Sequence, residues 1–231
     1  GASVTNFVAL TYATKQKLKL AATDQASKPT DVRLRELREG ANDPGLYALY
    51  LRYAWYLMVS SSQPGTMPAN LQGLWNEHIE APWNADYHIN INMQMNYWPA
   101  EVTGLSECHL PMADFVEQLA ARGQTTAQEL YGAQGWVAHH TSDAWHFTAP
   151  TGRTVWGLWP MGGAWATRHL YEHYRYTLDR EFLAERAWPV MVGAATFFLD
   201  YLIEHPETGL LVSGPSSSPE NRFRTRDGQV A

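Results

Sequence analysis

Apolar residues recur at three- and four-residue spacing along several long segments of this 231-residue chain, and this period constrains its fold most. One such segment follows Asn42-Asp43-Pro44, a typical helix start, and ends in the loop SSSQPGTMPAN. We expect its periodic residues to form the core-facing stripe of a helix. They are Leu46, Leu49, Tyr50, Tyr53, Leu57 and Met58.

Two later segments have the same period. The first predicts a helix from about Leu110 to Leu130, and the second a helix that begins near Pro160. Further along, Pro189 either starts a new helix in its first turn or kinks the preceding one. Strong β alternation is confined to short pieces, so the sequence predicts an all-α fold with long loops. The candidate core residues of the first helix are Phe115, Leu119 and Leu130. The second helix carries Trp165, Leu170, Tyr174 and Leu178, and we expect a turn around Leu178-Asp179.

Composition excludes several classes of function. The net charge of -6, without a basic stripe, argues against nucleic-acid binding. The single cysteine, Cys108, excludes an internal disulfide and a cysteine-rich zinc site. The longest apolar runs, such as Val190 to Leu199, are too short to span a bilayer, so we expect no membrane partner. The N-terminal GASVTNF lacks the pattern of a signal peptide.

The segment NADYHININMQMNYWPAE, residues 84–101, places four asparagines among apolar side chains. In an extended strand His88, Asn90 and Asn92 share one face, whereas in a helix Asn90 and Asn92 lie roughly 200° apart. We therefore expect a strand with Ile89, Ile91 and Met93 on its apolar face, and helix only toward Tyr97. The amides then line a pocket for a hydroxyl-rich ligand, with aromatic rings stacking on sugar faces, or they form a buried amide network.

Histidines offer two further candidate sites. His169 and His173 have an i, i+4 spacing that can hold a metal, but Leu170 stands where a zincin has glutamate, which favours a packing or surface role. His139 and His140 with Asp143 are candidate metal ligands, a catalytic dyad or pocket-lining hydrogen-bonding groups, and the residues alone leave these alternatives open.

Glu220 also has two interpretations. Ser218-Pro219-Glu220 has the pattern of a helix N-cap, a first-turn proline and a first-turn acid, where the helix dipole stabilises a charged carboxylate. A general acid at neutral pH instead needs a carboxyl group whose pKa is raised by burial or by another carboxylate.

Five motifs follow one another along the chain: PGTMPANLQGLWN (64–76), NINMQMNYWPAE (90–101), HHTSDAW (139–145), WPMGGAW (159–165) and SGPSSSPEN (213–221). In this order they resemble the catalytic domain of glycoside hydrolase family 95, the inverting α-L-fucosidases that favour 1,2-linked fucose. The resemblance runs from about Asp31 to the end of the sequence. Some members of this family are α-L-galactosidases.

The resemblance implies an (α/α)6 toroid whose long loops form the mouth of the active site. Residues 1–30 are then a linker or the tail of a preceding segment. Residues 31–231 are the N-terminal half of the catalytic domain, truncated before its end. We expect the remainder of the polypeptide, an upstream β-sandwich and the C-terminal half of the toroid, to be a partner of this part. Exposed helix faces would then make the isolated chain poorly soluble.

The resemblance also implies the catalytic roles. Glu220 is the general acid, and Asn90 and Asn92 position and polarise the attacking water. Inversion normally uses two carboxyl groups about 6.5–9.5 Å apart. Because a neutral amide is too weak a base to keep a proton, a carboxylate must assist Asn90. In the family this is an Asp well downstream of the S-P-E-N motif, and we expect it beyond Ala231.

His88, Asp143 and Trp159 are expected to hold the sugar, although Thr141-Ser142 departs from the Asn-Thr frequent in the family. The implied substrate is a fucosylated oligosaccharide or glycan, and the reaction needs no metal or organic cofactor. Secretion or a periplasmic location follows only from the family habit of export. L-galactose, which differs from fucose only at C6, is an alternative sugar, and a non-catalytic sugar-binding fragment is an alternative function.

Overall fold

A computed structural model describes residues 24–222 and 224–229, and in these residues the protein is mostly helical. Short 3-10 turns cover Asp24–Ser27, Pro82–Ala85 and Ser106–His109, and a π-helical segment covers Phe182–Ala187. The all-α prediction is confirmed, in keeping with part of an (α/α)6 toroid. The helices are α1 (Thr30–Arg38), α2 (Pro44–Ser61), α3 (Asn92–Val102), α4 (Leu110–Tyr131), α5 (Thr154–Gly157), α6 (Gly162–Thr177) and α7 (Trp188–Tyr201).

Two small antiparallel pairs complete the described structure. Strand β1 (Tyr87–His88) pairs with β2 (Thr141–Ser142), and β3 (Ile203–Glu204) pairs with β4 (Leu211–Val212). The first of these pairs joins the residues just before the 90–101 motif to the 139–145 motif and is therefore important for the candidate site.

The chain divides into two compact units, residues 1–63 and 64–231. In the first unit Asp43 caps α2, because its carboxylate accepts a hydrogen bond of 3.0 Å from the Leu46 backbone N–H. The buried Arg33 guanidinium donates two hydrogen bonds to the same carboxylate and holds the pKa of Asp43 below its ordinary value. The predicted helix start at Asn42-Asp43-Pro44 is confirmed. The predicted tail of residues 1–30 lies mostly outside the described residues.

The predicted stripe of α2 is wrong over much of its length. Leu46 and Met58 are buried, but Leu49, Tyr50 and Tyr53 are exposed, with Tyr50 76% accessible. The helical period is correct. Which stripe of a helix is buried depends on the elements that cover it, and the sequence of the helix does not contain that information.

The core of the second unit lies among α3, α4, α6 and α7. The predicted core positions Phe115, Leu119 and Leu170 are confirmed, since each is almost fully buried. Leu130, in the last turn of α4, is exposed, so this prediction is wrong. Leu178, the left-handed residue that ends α6, is also exposed, and the predicted turn there is confirmed. A smaller apolar cluster near the end of α4 contains Ala127, Ala133, Val137, Phe197 and Tyr201.

Pro189 lies in the first turn of α7, which continues directly from the π-helical segment. Proline lacks the N–H that an interior helix position needs, and the π-helical segment directly before Pro189 is where the regular α-helical hydrogen-bond pattern is interrupted. By length and composition alone, the continuous helix Phe182–Tyr201 is long and apolar enough to cross a membrane. This differs from the expectation that the apolar runs of the sequence are too short to span a bilayer. However, Val190, Ala194 and Phe197 are buried in the core of the second unit.

Candidate functional site

The asparagine-rich segment is not a strand through Asn92, and this prediction is wrong. Strand β1 ends at His88 and helix α3 begins at Asn92. Between them Ile91 has φ 74°, a conformation that a β-branched residue rarely adopts. Ile89 is buried as expected, but Ile91 is 40% exposed instead of lying on the apolar face. The single left-handed residue redirects the chain and allows a strand to change into a helix within three residues.

The four asparagines of this segment do different things. Asn84 has φ 58°, a left-handed conformation that asparagine tolerates. The exposed Asn96 donates its amide N–H to the Asn70 carbonyl at 3.2 Å and so ties helix α3 to the loop that contains Asn70. Asn90 and Asn92 are half-buried, and within residues 24–222 and 224–229 their amides have no hydrogen-bond partner. Their amides are therefore available to a ligand.

Strand pairing places His88 and Asn90 beside the HHTSDAW motif. His88 is opposite Thr141 in the β1–β2 pair. The His140 carbonyl accepts the backbone N–H groups of both Ile89 (2.9 Å) and Asn90 (3.2 Å). The motif segments 90–101 and 139–145 are thus joined directly at the point where the chain bends.

Asp86 orients the His88 ring. His88 Nδ1 lies 2.5 Å from Asp86 Oδ1, so the Nδ1–H donates to the carboxylate. The ring also meets the edge of the His140 ring, with centroids 5.8 Å apart. This arrangement fixes the tautomer of His88 and leaves Nε2 as the ring nitrogen for another group.

Three consecutive residues next to His88 carry buried polar atoms without a partner in the described part of the chain. These atoms are His140 Nδ1, Thr141 Oγ1 and Ser142 Oγ. Burial lowers the pKa of His140, and the nearby His88 lowers this pKa further. An unpartnered buried polar group costs about 1–3 kcal/mol, so such a cluster indicates a polar ligand or water. The run of polar residues in HHTSD was the sequence signal for this site. Asp143 was predicted from it as a site residue, but Thr141 and Ser142 were not.

Asp143 organises the loop that follows. Its Oδ1 accepts the backbone N–H groups of Trp145 (2.9 Å) and Phe147 (3.1 Å). The loop would lose both bonds without this carboxylate, so Asp143 has a structural role whatever it contributes to a ligand.

The buried His139 has both ring nitrogens occupied by hydrogen bonds. Nδ1 donates to the Thr148 carbonyl at 2.6 Å, and Nε2 accepts from the Tyr131 hydroxyl at 2.7 Å. Burial lowers the pKa of His139 to about 4. The metal-ligand and dyad interpretations therefore do not fit His139, which is a neutral structural residue.

Two glycines of the WPMGGAW motif, Gly162 and Gly163, allow this motif to pack closely on the backbone of Ala138 and His139. The Gly163 N–H donates to the Ala138 carbonyl at 3.0 Å. A Cβ atom at Gly162 would lie only 2.4 Å from the His139 carbonyl oxygen, so no larger residue fits. The half-buried Trp159 in this motif meets Trp165 edge-on, with ring centroids 6.1 Å apart.

The loop that carries Glu220 is anchored beside Trp159. The Leu158 carbonyl accepts both the backbone N–H (2.6 Å) and the hydroxyl (2.8 Å) of Ser217. Asn221 N–H then donates to the Ser218 carbonyl, which closes a turn with Pro219 second and Glu220, at φ 65°, third. This is the pattern of a type II turn. No helix starts here in the described chain, so the helix N-cap interpretation of Glu220 is wrong.

Backbone strain is concentrated in these loops. Seven described non-glycine residues have positive φ. Six of them lie in these loops, namely Trp83, Asn84, Ala85, Ile91, His146 and Glu220. Each such residue costs about 1–3 kcal/mol, and such strain clusters at functional sites. The exception, Leu178, ends helix α6.

The structure therefore joins the residues around His88 and Asn90 to strand β2, and joins Leu158, the neighbour of Trp159, to the loop that carries Glu220. In the described residues no hydrogen bond joins the exposed Glu220 carboxylate to either Asn90 or Asn92. Two cavities, of about 750 and 430 Å³, are lined by other residues, and none of the six predicted site residues lines either one.

Comparison with known proteins identifies the family. The Glycosyl hydrolase family 95 catalytic domain model matches residues 5–231. The chain belongs to glycosyl hydrolase family 95. The resemblance carried by the five motifs is confirmed, and the family-95 match begins earlier than the motifs predicted.

Two curated relatives show how much of a family-95 protein this chain represents. It is 47% identical over 210 residues to "Alpha-L-fucosidase 2" of Arabidopsis thaliana, covering 90% of this chain and 25% of that protein. It is 38% identical over 200 residues to "Probable alpha-fucosidase A" of Aspergillus niger, covering 85% of this chain and 25% of that protein. The chain spans about a quarter of the length of these relatives.

Proposed function

We propose that this chain supplies the acid and the water-positioning groups of an inverting α-L-fucosidase that acts on terminal 1,2-linked fucose. Family membership and the names of the relatives support the reaction class. The observation that carries the site is the backbone hydrogen bond from Asn90, whose side-chain amide is unpaired, to His140, the first of three residues with unpartnered buried polar atoms. A ligand rich in hydroxyl groups would supply hydrogen-bond partners both to the Asn90 side-chain amide and to the polar atoms of residues 140–142.

Asn90 and Asn92 position the water in this proposal. A side-chain carbonyl oxygen accepts one water hydrogen and so fixes where the oxygen lone pair points. The amides cannot keep the proton that the water loses, so a carboxylate elsewhere in the protein must take it. Asn90 lies in the turn after β1, where its backbone N–H is held by the His140 carbonyl, and Asn92 is the first residue of helix α3.

Glu220 is the proposed general acid, protonating the glycosidic oxygen as the bond to the sugar breaks. The anchoring of its turn through Ser217 to Leu158, the neighbour of Trp159, supports this assignment. We assign the remaining contacts to His88 Nε2, Asp143 and Trp159, with His140 and its strand neighbours binding sugar hydroxyls.

Glu220→Gln in the full-length protein tests the acid. We expect kcat on a natural 1,2-fucosyl glycan to fall by roughly 10²–10⁴-fold with little change in KM, because the variant cannot donate the proton. An aryl fucoside, whose leaving group needs little acid help, should be affected much less. Glu207→Gln, at an exposed glutamate on another loop, is the matched control. Unchanged turnover of the natural glycan by Glu220→Gln would exclude Glu220 as the acid.

The sugar and the stereochemistry are tested with the unmodified full-length protein. We expect release of β-L-fucose first, as NMR of the fresh product would show, and faster turnover of the α-L-fucoside than of the matching α-L-galactoside. An apolar wall rejects one added hydroxyl by only about 100-fold, so the two assays must be run in parallel. Faster turnover of the galactoside would reassign the sugar, and sugar binding without turnover would exclude an enzyme.

A further inference from the structure

A second polar cluster lies in the second unit, in the core between α3 and α6. Oε1 of Glu101, in α3, accepts hydrogen bonds from His109 Nδ1 at 2.8 Å and from His173 Nδ1 at 2.7 Å. His109 belongs to the short turn before α4, and His173 belongs to α6. All three side chains are more than nine-tenths buried, and their three potential ligand atoms lie within 4.8 Å of one another.

The cluster keeps a negative charge inside the core. Burial by itself would raise the pKa of Glu101. Hydrogen bonds from His109, His173 and Ser106 more than offset this effect and lower the pKa to about 2. Glu101 is therefore an anion at every ordinary pH, and no lysine or arginine within the described residues forms an ion pair with it.

We propose that Glu101, His109 and His173 bind one divalent transition-metal ion of the zinc class. Two imidazoles and one carboxylate, from three separate elements, form a donor set that such ions prefer, whereas Ca²⁺ and Mg²⁺ prefer oxygen ligands. The ion pins α3, the turn before α4, and α6 together and neutralises the buried carboxylate.

The hydrogen-bonded arrangement converts to a metal site without net proton release. At present His109 Nδ1–H donates to Glu101, and His169 Nδ1 lies 2.8 Å from His109 Nε2. When the ion takes Nδ1 of His109, the ring proton moves to Nε2 and is donated to His169, whose own proton moves to its Nε2. His173 likewise changes tautomer. His169 is thus the outer partner that orients His109, as ligating histidines require.

A cavity gives the ion a way in. A space of about 430 Å³ is lined by Glu101, His109 and His169, with Trp165, Arg168 and Glu172 among its other walls. The cavity reaches two of the three ligands and leaves room for water in a fourth position, which tetrahedral coordination needs. The i, i+4 pair singled out in the sequence therefore supplies one ligand, His173, and one supporting residue, His169.

Zn²⁺ and Co²⁺ binding to the full-length protein tests this site without any activity measurement. After removal of metals with a chelator, we expect a saturable Zn²⁺ site, a thermal midpoint raised by roughly 5 °C in excess Zn²⁺, and visible Co²⁺ absorption. Zinc-edge X-ray absorption should report two imidazole ligands. A protein with no midpoint shift and no Co²⁺ absorption, or with fewer than two imidazoles on the zinc, overturns the proposal.

Variants locate the ion. His173→Asn keeps an N–H donor where Nδ1 lies, so the hydrogen bond to Glu101 survives while the imidazole ligand is lost. We expect its Zn²⁺ affinity to fall at least about 100-fold, and that of His169→Asn about 10–100-fold. His78→Asn, at an exposed histidine, should bind as the unmodified protein does. Equal Zn²⁺ affinity of the His173→Asn and His78→Asn variants overturns the assignment of His173 as a ligand. If His173→Asn does not fold, the number of imidazole ligands found by zinc-edge X-ray absorption of the unmodified protein decides the question. The result does not depend on the proposed glycosidase function.

Discussion

At the scale of single residues, burial decides what the histidines can do. His139 is fully buried, its two nitrogens are bonded, and burial holds its pKa near 4, whereas the ordinary value is about 6.5. The folded state therefore stays neutral at His139 in a pH range where the unfolded chain becomes protonated. The unfolded state binds more protons in that range, so stability increases with pH there and is lost on acidification.

We expect the free energy of unfolding to fall as the pH is lowered from about 6.5 towards 4, by up to about 3 kcal/mol from His139 alone. Urea denaturation at a series of pH values measures this slope. His139→Asn, which can still donate to the Thr148 carbonyl but does not titrate, should give a shallower slope. Identical slopes for the two proteins would show that His139 does not carry the effect.

At the scale of elements, close backbone approach fixes how the loop after α4 meets α7. Gly135 has φ 71°, and a Cβ atom there would lie 2.1 Å from the Gly193 carbonyl oxygen and 2.7 Å from the Phe197 nitrogen. Both contacts are to the backbone of α7, which cannot move aside as a flexible side chain can. The same loop is held by Trp136, whose ring N–H donates to the Val190 carbonyl at 2.8 Å.

Gly135→Ala should therefore destabilise the protein by more than about 3 kcal/mol, because backbone strain and overlap add. Gly132→Ala is the matched control, since Gly132 also has positive φ but has nothing within 4 Å of its Cβ position. The control should cost only about 1–2 kcal/mol, the strain alone. Denaturant midpoints measure both values, and equal losses would refute the close approach.

At the scale of the whole molecule, α7 has a buried and an exposed apolar face. Trp188, Val192 and Leu199 lie at helical spacing on the exposed side and are 59%, 42% and 81% accessible. An exposed apolar face of this kind indicates an interaction surface or a tendency to aggregate.

We expect the isolated 231-residue chain to self-associate through such faces. Replacing Trp188, Val192 and Leu199 together by glutamine should lower the mass measured by light scattering, because less apolar area is buried on association. The matched control is glutamine at Leu210 and Leu211, which are exposed in and beside strand β4. A monomeric unmodified chain with a sharp two-state melt would contradict this expectation.

Local patterns predicted the features that depend on neighbours in the sequence. The helical period identified α2, α4 and α6, Asp43 was correctly expected at a helix start, and Phe115, Leu119 and Leu170 were correctly expected in the core. The five motifs identified the family. The predictions failed where tertiary contacts decide: at the strand-to-helix change around Ile91, and at the turn that replaces a helix before Glu220.

The candidate site shows the same division. Its residues were named from motifs, but the pairing of Asn90 with His140 and of Leu158 with Ser217 joins positions 50 or more apart. The Glu101–His109–His173 cluster joins residues up to 72 positions apart and had no signal beyond one histidine pair.

Period and motif are local properties, so the amino-acid order was enough to show that this chain is helical, which family it belongs to and which residues are candidates for chemistry. Which helix faces are buried, which amides stay unpaired and which histidines meet a carboxylate became known only from the folded arrangement. Burial and hydrogen bonding are set by whichever distant segment arrives at each surface, and no local pattern specifies that segment.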